Sequence, residues 1–171
     1  MTVRPTTKGT TMRITKTMRP PDGMRRLFYR MPIHAYRLGL GWVFGSRFLL
    51  LHHVGRISGK SRLAVLEVVE HDETTDTFVV ASGFGRTAAW YQNVLQTPEV
   101  TIQVGRRTIP VTARPLSPAE GADVFVRYAS RQPRMATRLL VRLLGYAVDG
   151  SEADFREVGQ RLPFVRFVPR N

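Results

Sequence analysis

The chain has 171 residues, room for one domain with a small appendage and too little for two full cores. At 43% hydrophobic and 23% charged its composition is that of a globular protein, and the lack of cysteine excludes disulfides, thiolate metal sites and cysteine nucleophiles together. Twenty-six basic residues against 13 acidic give a formal net charge of +13, which favours anionic partners: nucleic acid, acidic lipid or a phosphorylated small molecule.

The charge is unevenly placed. Residues 1–31 hold eight basic and one acidic side chain, residues 32–62 hold five and none, and the remaining 109 hold 13 and 12. This distribution predicts a basic arm over 1–31, rich in threonine and poor in branched aliphatics, followed by a single domain over 32–171 with a basic site on a nearly neutral body. Arg25-Arg26 is not followed by the apolar run an export signal needs. The longest apolar stretch, Leu38 to Leu51, is broken by Gly39, Gly41, Gly45 and Arg47 and is too short for a bilayer. A cytoplasmic protein is expected, with peripheral contact at an anionic inner membrane face as the sharper alternative.

From Pro32 to Phe44 the residues Ile33, Tyr36, Leu40, Val43 and Phe44 recur at helical steps, which predicts an amphipathic basic helix. Strand-forming segments follow at Phe48–Val54, Leu63–Glu70, Thr77–Ser82, Val100–Val104 and Arg107–Arg114. Asp72–Asp76 and Gly105-Arg106 are hairpin connections, so the strands should pair antiparallel. A helix over Ala88–Gln96 stands between the third and fourth strands. Ser117 and Glu120 have capping-box spacing with Pro118 in the first turn, which predicts a helix to about Ser130. Pro133 opens another, expected to end at Gly145; Ser151 caps a third, stopped by Pro163; and Phe164–Val168 is a final strand. The fold class is α+β with a mostly β core.

Gly55-Arg56-Ile57-Ser58-Gly59-Lys60-Ser61-Arg62 is the segment with the clearest chemistry. Its Gly-Lys-Ser resembles the end of a P-loop, but Val54 stands where the first glycine is required and strand sequence follows where a helix is needed, so an NTPase is rejected. What remains is a loop between strands with two glycines, three cations and hydroxyls. Backbone amides, forked guanidiniums and a lysine point charge together suit a phosphate ester; the plainer alternative is a solvated basic turn. A second small-residue loop, Ala81-Ser82-Gly83-Phe84-Gly85, leads into Trp90, Tyr91 and Asn93, and could set amides beside a flat ring. The competing reading makes Trp90 and Leu95 core and Asn93 a surface residue.

Together the two loops resemble the deazaflavin-dependent nitroreductase family, also called the F420H2-dependent quinone reductase-like family. The resemblance rests on Gly55, Arg56, Ser58, Gly59 and Arg62, on Ala81 to Gly85, on Trp90, Tyr91, Asn93 and Leu95, and on Thr97-Pro98-Glu99-Val100, and it spans about Pro32 to Pro169. It implies a split β-barrel with peripheral helices, and binding of reduced coenzyme F420, with FMN as the alternative cofactor. It also implies hydride transfer to a quinone-like, nitroaromatic or other lipophilic acceptor. On this resemblance Arg56, Ser58, Lys60 and Arg62 hold the cofactor's phosphate and acidic tail, while Ser82, Gly83, Phe84, Gly85, Trp90, Tyr91 and Asn93 frame the ring. Phe84 stands where some members carry lysine, a departure that bears on the acceptor more than on the cofactor. Tyr128 falls where the family carries a substrate-side tyrosine and is the candidate proton donor or acceptor contact; packing is its plainer role.

The rival readings are a non-catalytic deazaflavin- or lipid-binding protein and a nucleic-acid binder. Arg127, Arg131, Arg134, Arg138 and Arg142 recur at helical steps and suit either a solvated face or a membrane surface. Aromatics are not interleaved with the arm's cations, so a nucleic-acid platform is not expected. His52 and His53 point to opposite faces of one strand and cannot share a metal through it; one should line the barrel or core and the other face outward. No metal is expected. The oligomer is either a monomer or a homodimer.

Overall fold

The computed structural model describes residues 45–139 and 151–170. The predicted arm, the helix over Pro32–Phe44 and the stretch leading to Gly145 lie outside them. Six strands are described: β1 (Phe48–Val54), β2 (Ser61–Asp72), β3 (Thr77–Ala81), β4 (Glu99–Val104), β5 (Arg107–Pro115) and β6 (Phe164–Pro169). They form one closed barrel in the order β1-β2-β3-β6-β5-β4, antiparallel at every seam. Closure removes the exposed edges that an open sheet of these apolar strands would present. The expected split-barrel class is therefore the one observed.

The strands reach further than composition suggests. β2 runs over 12 residues because its ladder with β1 extends to the loop, Ser61 opposite Val54, and its ladder with β3 extends to Asp72 opposite Thr77. At the β2–β3 turn, Asp72 accepts from the Thr74 and Thr75 amides and the Thr75 hydroxyl, an Asx turn that closes the hairpin. A register shift between Val68 and Glu70 marks a bulge in β2, which helps a short sheet curl.

Two apolar clusters lie on opposite sides of this wall. Inside the barrel are Leu49, Leu51, Leu66, Phe78, Val80, Ile102, Val111 and Phe167, joined by Tyr91 and Val94 of helix α1 (Ala89–Gln96), which packs against this interior cluster. Outside, Val69, Val79 and Phe164 meet helices α2 (Pro118–Arg131) and α4 (Glu152–Arg161), with α3 (Pro133–Leu139) beside them. The Ser117–Glu120 capping box forms as predicted, and Ser117 Oγ accepts from the Glu120 amide. Where α2 and α4 cross, Gly121 and Gly159 let the backbones touch: a Cβ on Gly159 would lie 2.6 Å from Ala122 Cα.

Candidate functional site

The barrel-facing side of β1 changes character toward its end. Leu49, Leu51 and His53 alternate inward, opposite Leu66, Ala64 and Arg62 of β2, so the lining passes from apolar pairs to a histidine–arginine pair at one mouth. The loop that joins the strands there is the glycine-bearing segment. It is closed by the Gly55 amide donating to Lys60 O at 2.9 Å and the Gly59 amide donating to Gly55 O at 2.8 Å. Gly59 has φ +63°, a left-handed conformation that costs a side-chain-bearing residue about 1–2 kcal/mol. Gly55 is packed: a Cβ there would meet Ser58 Oγ at 2.9 Å.

Helix α1 brings Asn93 to this loop. The Asn93 side chain is 4% exposed, and its Oδ1 accepts from the Arg56 amide at 3.1 Å and from Arg56 Nη1 at 3.3 Å. Two donors on one atom fix the amide's orientation, so Nδ2 is the group 3.0 Å from His53 Nδ1. Nδ2 can only donate; Nδ1 therefore accepts, and the neutral imidazole carries its proton on Nε2. His53 is 6% exposed. Burial pushes its pKa down to about 4, and the charges of Arg62 and His52 press the same way against a bond with the Val54 backbone. The imidazole is neutral at neutral pH.

Among the described residues, several arginines outside this mouth are paired with carboxylates, while Arg86, Arg106, Arg114, Arg131 and Arg134 are not. Arg127 is held by Glu70 through two bonds, Arg156 by Asp123, Arg161 by Glu157 and Arg170 by Glu99. Among the described residues, Arg56, Lys60 and Arg62 make no ion pair. A guanidinium held through one Nη, a second arginine on the neighbouring strand, a lysine and loop hydroxyls form a donor set that fits phosphate and carboxylate oxygens. Ile57, at the loop tip, is 89% exposed.

The second loop is built around Ser82. Its buried amide donates to Pro163 O at 2.8 Å and its hydroxyl to Gly85 O at 2.7 Å, so both of its donors shape the loop. Gly85 takes φ +69° and opens a 3-10 turn, Gly85–Thr87, that runs directly into α1. Phe84 and Trp90 pack against the interior cluster, while Tyr91 is buried in it with its ring edge-on to Trp90 at 5.9 Å. Asn93 is thus buried and Leu95 exposed, the reverse of the competing sequence reading.

Arg56, Arg62 and Asn93 are brought together, with Ser58 and Lys60 on the same loop. Gly83, Phe84, Trp90 and Tyr91 follow from the second loop into the helix that carries Asn93. Tyr128 is elsewhere: it belongs to the outer cluster and its hydroxyl donates to Glu67 Oε1 at 3.3 Å. Burial, with the Glu67 charge and bond, pushes its pKa up to about 12. It lines a cavity of about 300 Å³ with Arg47, Glu67, Val69, His71 and Arg131. Sequence reasoning missed His53 as a member of the mouth; its register opposite Arg62 was the available signal. Among the described residues no group of three His, Cys, Asp or Glu could hold a metal, and no helix is long and apolar enough to cross a membrane.

Comparison with known proteins bears on this arrangement. The sequence profile of the F420H(2)-dependent quinone reductase family matches residues 29–143, a span that contains both glycine loops and α1. Rv3178 of Mycobacterium tuberculosis H37Rv, whose name assigns it to the F420H(2)-dependent quinone reductases, is 36% identical over 93 residues, covering 53% of this chain and 76% of its own. Among solved structures, an F420-H2 dependent reductase, FDR-A, is similar at 23% identity and a TM-score of 0.42, over 71% of this chain and 93% of that one. Protein Atu2129 of Agrobacterium tumefaciens C58, of unknown function, shares the fold at 14% identity and a TM-score of 0.52, over 83% of this chain and 56% of that one. The chain belongs to the F420H(2)-dependent quinone reductase family.

Proposed function

We propose that this protein binds reduced coenzyme F420 at the mouth formed by the β1–β2 loop and α1, and reduces a quinone-like, nitroaromatic or other lipophilic acceptor by hydride transfer. The observation that carries this reading is the Arg56, Lys60 and Arg62 set, which has no acidic partner among the described residues and sits on a loop locked by Asn93. When bound, the reduced deazaflavin supplies the hydride. Arg56, Lys60 and Arg62 bind and orient the anionic tail, with Ser58 as a hydroxyl donor. Ser82 holds the second loop in shape; Gly83, Phe84 and Gly85, with Trp90 and Tyr91, give an apolar border that excludes water from the reacting face. No ionised catalytic group is needed beyond a proton for the reduced acceptor, which solvent can provide.

Tyr128 has a separate place in the proposal. Its cavity lies by the outer cluster, apart from the residues that frame the ring; if the acceptor reaches it, Tyr128→Phe should lower kcat or raise KM for the acceptor while leaving cofactor affinity unchanged. Unchanged steady-state parameters would return Tyr128 to packing.

The deciding experiment is anaerobic turnover of reduced F420 by the full chain with a water-soluble quinone and, separately, a nitroaromatic. Protein-dependent formation of the oxidised deazaflavin in step with acceptor loss is expected. Saturable binding without turnover of either acceptor would favour a carrier, and turnover with reduced FMN alone would replace the cofactor.

A further inference from the structure

We propose that His53 is a positioning residue for the cofactor's anionic tail, setting the Arg56 guanidinium through the Asn93 amide. This rests on the proposed function of the loop. The chain of contacts is short: His53 Nδ1 accepts from Asn93 Nδ2 at 3.0 Å, and Asn93 Oδ1 holds the Arg56 amide at 3.1 Å and Nη1 at 3.3 Å. Without an acceptor at Nδ1, Asn93 Nδ2 is a buried donor with no partner, and the side chain is left held only by the two Arg56 donors it has to fix. The Arg56 donors set which way the amide faces, and the imidazole holds it there by accepting from Nδ2.

The arrangement fixes one end of Arg56 and leaves its remaining guanidinium hydrogens for a ligand, since the group carries five donors and one is used here. A side chain held this way gives up less freedom on binding. The charged or titratable groups facing His53 are Arg62 on β2, Arg56 on the loop and His52 on its own strand; α1 faces it with the neutral Asn93. All three can only oppose an imidazolium, so the neutral acceptor form is the one the site keeps.

The test compares His53→Leu, which removes the acceptor, with His53→Asn, whose Oδ1 can stand near the place of Nδ1. Each is titrated as the full chain with F420 and with 8-hydroxy-5-deazariboflavin, which has the ring and no phosphate tail. His53→Leu should weaken F420 by about tenfold, the size of one hydrogen bond to a charged group. It should leave the tail-less compound unchanged, and His53→Asn should restore F420 affinity. The Arg56 amide should exchange faster in His53→Leu and return to wild-type protection in His53→Asn, and wild-type 15N spectra should show His53 protonated on Nε2. Unaltered F420 affinity in His53→Leu, an equal loss for both compounds, or a proton on Nδ1 would each overturn the proposal. If the wild type binds neither compound, the functional reading fails, and Arg56 amide exchange still decides whether His53 positions the loop.

Discussion

The barrel mouth and the outer helix layer use the same residue types to opposite ends. On the outer layer two arginines are neutralised: Glu70 grips Arg127 at 2.9 and 3.1 Å, and Asp123 grips Arg156 at 2.8 Å. At the mouth, Arg56 is held by a neutral amide, and it, Lys60 and Arg62 have no carboxylate partner among the described residues. Glycines divide in the same way. Gly121 and Gly159 are small so that two helices can touch, whereas Gly59 and Gly85 have open space where a Cβ would sit and are needed for their backbone conformation. An arginine or a glycine is thus read by what surrounds it: Arg127, Arg156 and the two crossing glycines tie the outer layer together, and the mouth gathers three cations with no carboxylate beside them.

That contrast should survive mutation in a graded way. The largest effect on stability should come from Gly159→Ala, because the new methyl meets the Ala122 backbone and the Gly121 carbonyl and neither yields without moving a helix. A loss of about 3 kcal/mol is expected in denaturant unfolding, with F420 affinity of the folded fraction unchanged; lost affinity in folded protein would tie the layers together. Next, Arg56→Ala and Arg62→Ala should each weaken F420 by about ten- to a hundredfold, as expected for a charge-assisted contact, with little change in stability. Unchanged affinity would remove either residue from the tail site.

Arg127→Ala is the matched control. It should cost at most about 1 kcal/mol, since the pair is half-exposed and screened by solvent, and it should leave F420 binding alone.

Acid gives a further probe. His53 has a folded pKa of about 4, below its unfolded value of 6.5, so the unfolded chain takes up a proton that the folded chain refuses. Stability is full above about pH 6.5 and falls toward pH 4, by up to about 3 kcal/mol. Over pH 6.5–5 the slope should be shallower in His53→Asn, before the carboxylates Asp72, Asp76 and Glu120, whose pKa values are all lowered, begin to titrate. Identical slopes would contradict the buried neutral imidazole.

Local signals made much of the fold legible. Phe48–Val54 was marked by an apolar run that ends at a glycine, and Ser117 with Glu120 announced α2 because a capping box is written within four residues. The loop cations were legible for the same reason, and their missing acidic partners were half visible in a 32–62 stretch without a carboxylate. His53 shows where this stops. Period two put it on one face of β1, but the group that meets it is Asn93, 40 residues further on, and only barrel closure with α1 seated at its mouth joins them. The Gly121–Gly159 crossing was equally hidden, since contact between two helices 38 positions apart leaves no local pattern. Tyr128 was placed by resemblance, which fixes a position along a helix and not the side of the barrel wall it meets.

Fluorescence titration of the purified full chain with oxidised F420, and in parallel with FMN, tests the cofactor assignment most directly. Saturable F420 binding in the micromolar range, tighter than FMN and weakened by Arg56→Ala, is the predicted result; no saturable F420 signal, or tighter FMN binding indifferent to Arg56, would contradict it.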